Sequence, residues 1–548
     1  MTDRGAPARR VGRAERLVVI AITVAFAAVL AVWAFGTSTY KAPDEPTHMD
    51  AAVHVAIGDA WAPPGTLHYL NATVATQLGA QRESSAEHPT WGELLRDDPG
   101  DSTGSIDQMT QHPPTYYVIA AGVLHLVHFE DLRWDHAVLA LRLFDALLTL
   151  PLPFLAWATV RRLTRSPRAA VIGGAAVLAI PELAAIGASV TNDALMLPLS
   201  GILVYLVTRL LTGDHRVRLL VGIAIALGAM LLVKGTALPA VPFVGVAVVT
   251  AGLHRGVVLR NVVRAFGTLA LAALVGAWWW LRNLVLYRQI QPDGMAGSIR
   301  PDKPFPSGTG PSPEVFLRDY WNGVTRTFWG SVGSLAQYQI AQFVIDALTV
   351  LSLAGIAIWA FRRGPSLRPA IVLAAYPVIL IALHMQSGWG GYVRNTIVAG
   401  TQGRYYYPTL LAMIALSALA WPRATVTPRG RTRLAVGMAI TACAIGAYGV
   451  VYVIRAFGRN AAWWITEANL AGLDRSGPVS AGWTVTVAAV ALVLLAATAV
   501  LLVRWLRATA PERAGSSVAA TASEGSTPAA AVPDGSTPAA VEPTGGTR

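Results

Sequence analysis

Thr115-Tyr116-Tyr117-Val118-Ile119-Ala120-Ala121-Gly122-Val123-Leu124-His125-Leu126-Val127-His128-Phe129 is the stretch whose placement decides the topology of this chain. It is apolar but short, and His125 and His128 interrupt it, whereas a membrane-crossing helix needs about 20 predominantly apolar residues. Around it, segments of roughly that length recur near 17 to 36, 136 to 160, 169 to 188, 193 to 211, 217 to 233, 236 to 252, 263 to 281, 342 to 361, 368 to 386, 403 to 421, 433 to 454 and 481 to 503. If 115–129 crossed as well, every later loop would change side. The basic loop Arg161-Arg162-Leu163-Thr164-Arg165-Ser166-Pro167-Arg168 would then share a side with Asp44 and Glu45, against the bias that keeps short Lys/Arg-rich loops cytoplasmic. If instead 115–129 lies along the outer interface, Arg4, Arg9, Arg10, Arg13 and Arg16 become cytoplasmic, and so do the basic loops at 161–168, 214–218, 254–264, 362–368, 423–433 and 504–513. The expected fold is therefore all-α. It is a multi-pass protein of the cell (plasma) membrane with about 12 transmembrane helices, both termini cytoplasmic, and an interfacial helix in the first of two long extracytoplasmic loops.

Composition agrees with that class. Apolar residues make up 54% of the chain and charged residues only 14%, too apolar a balance for a soluble domain. No small-residue cleavage site follows the first apolar stretch and further spans come after it, so the first span is expected to be kept. The lone cysteine, Cys443, allows no intrachain disulfide. A net charge of +12 would suit nucleic acid, but the arginines sit in short inter-span loops where topology already accounts for them, so no nucleic-acid partner is expected. Four regions result: a basic cytoplasmic segment 1–16; a membrane module 17–455 with outer loops 37–134 and 283–341; an outer loop and last span 456–506; and a tail 507–548. The tail repeats GSTPAA, cannot bury a core, and is read as disordered and cytoplasmic.

Ionisable residues gather near one end of the expected spans. Pro43-Asp44-Glu45-Pro46-Thr47-His48 follows the first span, Asp193 opens the fourth, Lys234 ends the fifth and Arg282 ends the seventh. Arg404, in Gln402-Gly403-Arg404-Tyr405-Tyr406-Tyr407-Pro408, opens the tenth, and Arg142 lies about two turns inside the second. A charge deep in hydrocarbon costs roughly 2.5–3.5 kcal/mol even on lenient scales. Singly, each could be a snorkelling side chain or a helix cap. Jointly they set carboxylates beside cations at one face. A general base beside an acceptor hydroxyl contributes about 10²–10⁴ in rate, and fixed cations stabilise a departing phosphate. The set therefore suits transfer from a lipid phosphate to a hydroxyl. Pro46 fits the first turn of a helix, whose N-terminus favours a carboxylate, and His48 would then lie on the same side as Asp44.

These residues resemble the GT-C superfamily of membrane glycosyltransferases, particularly protein O-mannosyltransferases and lipid A aminoarabinose transferases. They resemble more closely still a bacterial family of predicted membrane proteins with a PDEP-x-H signature. Asp44-Glu45 is similar to the Asp-Glu pair opening the first outer loop of the O-mannosyltransferases. His112-Pro113-Pro114-Thr115-Tyr116-Tyr117 resembles their His-Pro-Pro juxtamembrane segment, and Leu141-Arg142-Leu143-Phe144 the start of their next span. Gly403-Arg404-Tyr405 resembles the Gly-Arg-Tyr of the signature family. The resemblance implies Asp44 as base, Glu45 orienting it or binding acceptor, and a polyprenyl-phosphate sugar as donor. It places His48, His112 and Arg142 as substrate contacts, and Lys234, Arg282, Arg404 with Tyr405 at the lipid phosphate. Asp193 resembles a second acidic residue that such enzymes often carry, sometimes as a metal ligand. Here the acidic set has no compact metal spacing, so no metal ligands are assigned and a divalent cation stays open as a cofactor. The implied reaction is one displacement on the extracytoplasmic side, inverting the anomeric centre. The acceptor, whether protein, glycan or lipid, is not specified. Trp278-Trp279-Trp280 reads as an interfacial aromatic belt. Tyr320-Trp321 and Phe328-Trp329 are candidate sugar platforms. A transporter or lipid-linked-glycan flippase is the alternative from another class, and would need midplane charges and an internal repeat. A polymerase or ligase of lipid-linked cell-envelope glycan shares the chemistry and stays open.

Overall fold

The computed structural model describes residues 11–82, 84–252, 258–295, 303–333, 338–361, 367–457 and 464–510. Arg4, Arg9, Arg10, parts of the basic loops near 254 and 362, and the tail from 511 onward lie outside them. Two short antiparallel pairs, His68–Leu70 with Asp101–Ile106 and Ser331–Val332 with Tyr338–Gln339, are the strands among the described residues. The rest of the regular structure is helical, as the apolar composition requires where backbone polar groups must be satisfied within the segment itself.

Among the described residues, eight helices are long and apolar enough to cross a membrane: Arg13–Gly36, Trp134–Thr164, Asp193–Leu211, Val258–Tyr287, Gln342–Phe361, Leu367–Asn395, Pro428–Ala456 and Ala481–Ala508. A ninth results if Pro167–Ala179 and Pro181–Gly187, bent by 71°, count as one span. Helix length by itself thus gives eight or nine crossings rather than the twelve expected. The other expected segments are shorter or irregular. Val217–Leu231 and Gly235–Thr250 are short apolar helices, and 403–421 starts as the 3₁₀ stretch Gly403–Thr409 before the helix Leu410–Ala420. The 71° bend has a local cause. Pro181 disfavours helical geometry in the residue before it, and Ile180 is non-helical at φ −126°, ψ 88°.

The 115–129 stretch forms a helix only over Thr115–Leu126, 12 residues, about 18 Å at the helical rise against roughly 30 Å of hydrocarbon. Tyr116, Tyr117, Ala120, Ala121 and Leu124 are buried in the same core as Met49, Ala52 and Val53 of the helix Glu45–Ala56, against which it packs. Val118, Ile119 and Leu126 are left exposed. Asp44 and Arg404 are in direct contact, so the chain brings both to the same end of the bundle. Around these two helices the first long loop builds its own small core from Trp91, Met109, Phe129 and Trp134. Thr90 and Glu93 form a capping box on the helix Trp91–Asp97.

Candidate active site

The first helix ends at Gly36, leaving carbonyls with no intrahelical partner. Arg142, fully buried on the helix Trp134–Thr149, reaches one of them, its Nη1 donating to Ala34 O at 3.0 Å, and also binds the turn just beyond, Nη1 to Thr37 O at 2.6 Å and Nη2 to Ser38 O at 3.2 Å. The same guanidinium grips Glu45 with both prongs, Nε to Oε1 at 2.7 Å and Nη2 to Oε2 at 2.6 Å. Glu45 also accepts from Tyr40 N at 3.0 Å and Val190 N at 3.3 Å. Neither side chain is exposed. Read from the sequence as catalytic partner and substrate contact, Glu45 and Arg142 are engaged with each other and with backbone, and what they do here is lock the turn that carries Asp44.

Asp145, three residues after Arg142 and also fully buried, has no role in the sequence reading. Its Oδ2 accepts from Tyr116 OH at 2.7 Å and Thr191 N at 3.0 Å. Two consecutive amides, Val190 and Thr191, are thus held by two buried carboxylates, and that fixes the start of the helix Asp193–Leu211. The signal was available: a second charge one turn along an apolar helix has to find a partner.

Asp193, placed in this way, meets the other charges. Lys234 Nζ donates to Asp193 Oδ1 at 2.8 Å, and Arg404 Nη1 lies 3.9 Å from Asp193 Oδ2. Arg404 Nη2 donates to Asp44 Oδ2, and its Nη1 reaches Pro43 O at 3.4 Å. Asp44 itself adopts the left-handed conformation, φ 57°, directly before the helix Glu45–Ala56. Tyr405 lies beside both cations, its ring centroid 5.9 Å from Lys234 Nζ and 5.6 Å from the Arg404 guanidinium carbon, within cation–π range. The side chains of Lys234, Asp193 and Arg404 are 8%, 9% and 3% exposed, whereas that of Asp44 is 32% exposed. Of these four charges, Asp44 is the one that a molecule arriving from outside meets first.

His48 and His112 complete the surround. His48 Nδ1 is 2.9 Å from Tyr117 OH, and its Nε2 is 3.4 Å from Thr191 Oγ1. Trp61 Nε1 donates to His112 O at 3.2 Å. Burial, then Lys234, drives the His112 imidazole down to about 3, and burial with Lys234 and Arg404 holds His48 well below its usual value. Both rings are therefore neutral hydrogen-bonding groups at ordinary pH. Burial would raise the Asp44 carboxyl, but the Arg404 charge and hydrogen bond, with help from Lys234, leave it below the usual carboxylate range. Several buried polar atoms here have no protein partner within hydrogen-bonding distance: Asp193 Oδ2, Arg404 Nε, His112 Nδ1 and both side-chain atoms of Asn192. Buried polar groups of this kind are met by ordered water or by a polar ligand.

Arg282 is outside this cluster. It is exposed, contacts its neighbour Asn283 at 3.3 Å, and stacks on Trp279 and Tyr287 of its own helix. Trp279 and Trp280 are buried and Trp278 is half-exposed. Tyr320 is buried and Trp321 half-exposed on the second-loop helix Pro313–Trp329. Glu182, unassigned from the sequence, accepts from Ser331 N at 3.0 Å, tying the second loop to the bent helix. Among the described residues no group of three or more His, Cys, Asp or Glu is arranged to hold a metal ion, and Asp44 and Asp193 each face a cation.

The family model described as predicted membrane protein (DUF2142) matches residues 27–414, well over half of the chain, and the chain belongs to that family. No curated protein matches it by sequence. Among solved structures it aligns with ArnT from Cupriavidus metallidurans in the apo state, at 16% identity and TM-score 0.47 over 90% of this chain and 78% of that one. The same protein bound to undecaprenyl phosphate aligns at 17% and 0.44, over 89% and 77%. Archaeal oligosaccharyltransferase AglB from Archaeoglobus fulgidus, in complex with an inhibitory peptide and a dolichol-phosphate, aligns at 11% and 0.39, over 90% and 56%.

Proposed function

We propose that this member of the DUF2142 family is a membrane glycosyltransferase that moves a sugar from a polyprenyl-phosphate donor to an acceptor hydroxyl on the extracytoplasmic side. The observation that carries this reading is the single cluster of a half-accessible carboxylate, Asp44, backed by two buried cations, Lys234 and Arg404. The donor class comes from the likeness of the Asp44-Glu45 pair and the His112-Pro113-Pro114 segment to those of lipid-phosphate sugar transferases. In the reaction, the acceptor oxygen bonds to the anomeric carbon as its proton passes to Asp44. The bond from that carbon to the phosphate oxygen breaks with its electron pair, and polyprenyl phosphate leaves against Lys234 and Arg404. Fixed cations act most strongly where charge develops and water is scarce.

Asp44 starts as a weak base because Arg404 holds its Oδ2. A donor phosphate competes for that guanidinium. As it does so the carboxylate loses its stabilising partner and its proton affinity rises, so donor binding prepares the base. In this reading His112, neutral and with its Nδ1 unpaired, hydrogen-bonds sugar or phosphate without adding charge, while His48, both of whose ring nitrogens face Tyr117 and Thr191, supports the wall beside it.

The test incubates purified protein with a labelled polyprenyl-phosphate sugar and follows released polyprenyl phosphate. Asp44→Asn is expected to lower turnover by about 10²–10⁴ with membrane insertion unchanged. Full activity in that variant rejects the base assignment, and sugar lipid crossing vesicles without product formation favours a transporter.

A further inference from the structure

Arg404 does not sit on a regular helix. It lies in the 3₁₀ stretch Gly403–Thr409, where the intrahelical hydrogen bonds are poorer than in an α-helix, so its position depends on what grips that stretch from outside. The grip comes from the second long loop and from the helix Leu367–Asn395. Gly403 N donates to Thr327 Oγ1 at 2.6 Å, and Tyr407 OH donates to Phe328 O at 2.8 Å. The backbones approach so closely that a Cβ on Gly403 would lie 2.3 Å from Phe328 N, and one on Gly323 would lie 2.2 Å from Thr401 Oγ1.

His384, on the helix Leu367–Asn395, spans the same segment. Its Nε2 is 2.9 Å from Gly400 O; a carbonyl only accepts, so Nε2 carries the proton and Nδ1 is left as an acceptor in the neutral ring. Nδ1 lies 2.6 Å from Tyr406 OH and 3.0 Å from Tyr320 OH, and the two hydroxyls touch each other. One imidazole thus holds the chain on both sides of Arg404, at Gly400 before it and Tyr406 after it. Tyr320 roots the arrangement in the helix Pro313–Trp329. None of the three is among the groups that face Asp44.

We infer that Tyr320, Tyr406 and His384 form a positioning triad that sets where the Arg404 guanidinium stands, so that the second long loop takes part in the reaction through Arg404 rather than by touching substrate. The functional consequence rests on the proposed transferase reading; the positioning itself does not. Tyr320→Phe and Tyr406→Phe each remove one oxygen and keep the ring, so packing is retained. His384→Gln keeps a donor for Gly400 and loses the tyrosine contact.

Hydrogen exchange of the detergent-purified full chain is expected to rise at least tenfold at the amides of Gly403–Thr409 in Tyr406→Phe and His384→Gln, with the helices Arg13–Gly36 and Ala481–Ala508 unchanged. Turnover with a labelled polyprenyl-phosphate sugar is expected to show kcat down about tenfold with acceptor KM within twofold, because a displaced Arg404 weakens mainly the departing phosphate. His384→Asn, whose shorter amide sets its Oδ1 near the former Nδ1 position facing the tyrosines and gives up Gly400, is expected to lose less than His384→Gln. Unchanged exchange over Gly403–Thr409, exchange raised throughout the molecule, or raised local exchange with wild-type kcat overturns the inference. A wild-type protein inactive on every such donor sinks the transferase reading alone, since local exchange still decides whether the triad places Arg404.

Discussion

Replacing Arg142 by methionine tests whether Glu45 and Arg142 hold the fold rather than handle substrate. The substitution keeps much of the apolar stem and removes five donated hydrogen bonds, two to Glu45 and three to Ala34, Thr37 and Ser38 carbonyls. Glu45 stays fully buried with only the Tyr40 and Val190 amides as donors. Removing one partner of a buried ion pair costs about 3–5 kcal/mol, most of it the charge left uncompensated. The bereft carbonyls add roughly 1 kcal/mol each where water does not reach them. The expected loss is therefore at least about 4 kcal/mol. If the stranded charge dominates, Glu45→Gln in the Arg142→Met background should recover about 2 kcal/mol or more of it. Reversible unfolding of the four proteins of this cycle in mixed micelles measures both figures. A loss under about 1 kcal/mol for Arg142→Met, or a double variant whose loss equals the sum of the singles, refutes the argument that a stranded carboxylate sets the cost.

Lys234→Met leaves Asp193 with Arg404 at 3.9 Å as its remaining cation; stability should fall by about 3–5 kcal/mol and polyprenyl phosphate should bind at least tenfold more weakly by equilibrium filtration, so unaltered affinity would remove Lys234 from the phosphate site. Gly403→Ala drives a methyl into the Phe328 backbone, and overpacking of this kind costs about 1–3 kcal/mol or more; a melting temperature equal to wild type would show that the close approach is not as described. Burial pushes the Asp50 carboxyl up to about 6, against the opposing pull of His54, Thr73, Asp107 and the Leu70 amide, and Asp107 is raised well above the usual range by burial and by Asp50. The folded first loop then binds more protons than the unfolded chain between the ordinary value of 3.8 and about 6. The stability from Asp50 is complete below that window and falls by about 3 kcal/mol as pH rises through about 6, and Asp107, raised in the same direction, adds to the loss at higher pH. Exchange in the helix Glu45–Ala56 should accelerate from pH 5 to 7, after correction for intrinsic rates, and Asp107→Asn should flatten the slope; a loop that tightens over that range would contradict the sign.

Much of the architecture could be read from apolar periodicity and loop charge, because a membrane leaves few choices for segments of that length and composition. The helical class and the failure of 115–129 to reach crossing length follow from composition and length alone, and these are one-dimensional properties. The gathering of Asp44, Asp193, Lys234 and Arg404 was also foreseeable, since charges at the ends of apolar spans are expensive wherever they have no partner. Sequence does not say which of two adjacent carboxylates faces outward. Asp44 and Glu45 are neighbours in the chain, yet a left-handed turn at Asp44 sends one toward Arg404 and the other into the Arg142 knot. Nor could sequence separate Arg282 from Arg404, both at span ends, because only packing determines that one lies exposed on its own helix and the other beneath a carboxylate. Asp145, His384 and Tyr320 acquire roles through partners 46, 22 and 86 residues away. Local pattern carries no record of such pairings. The amino-acid order determined which groups had to leave the hydrocarbon. Tertiary packing decided which of them became ties within the protein and which were left with an open face, because a hydrogen bond or ion pair needs its partner at about 3 Å, a distance that only the folded chain sets.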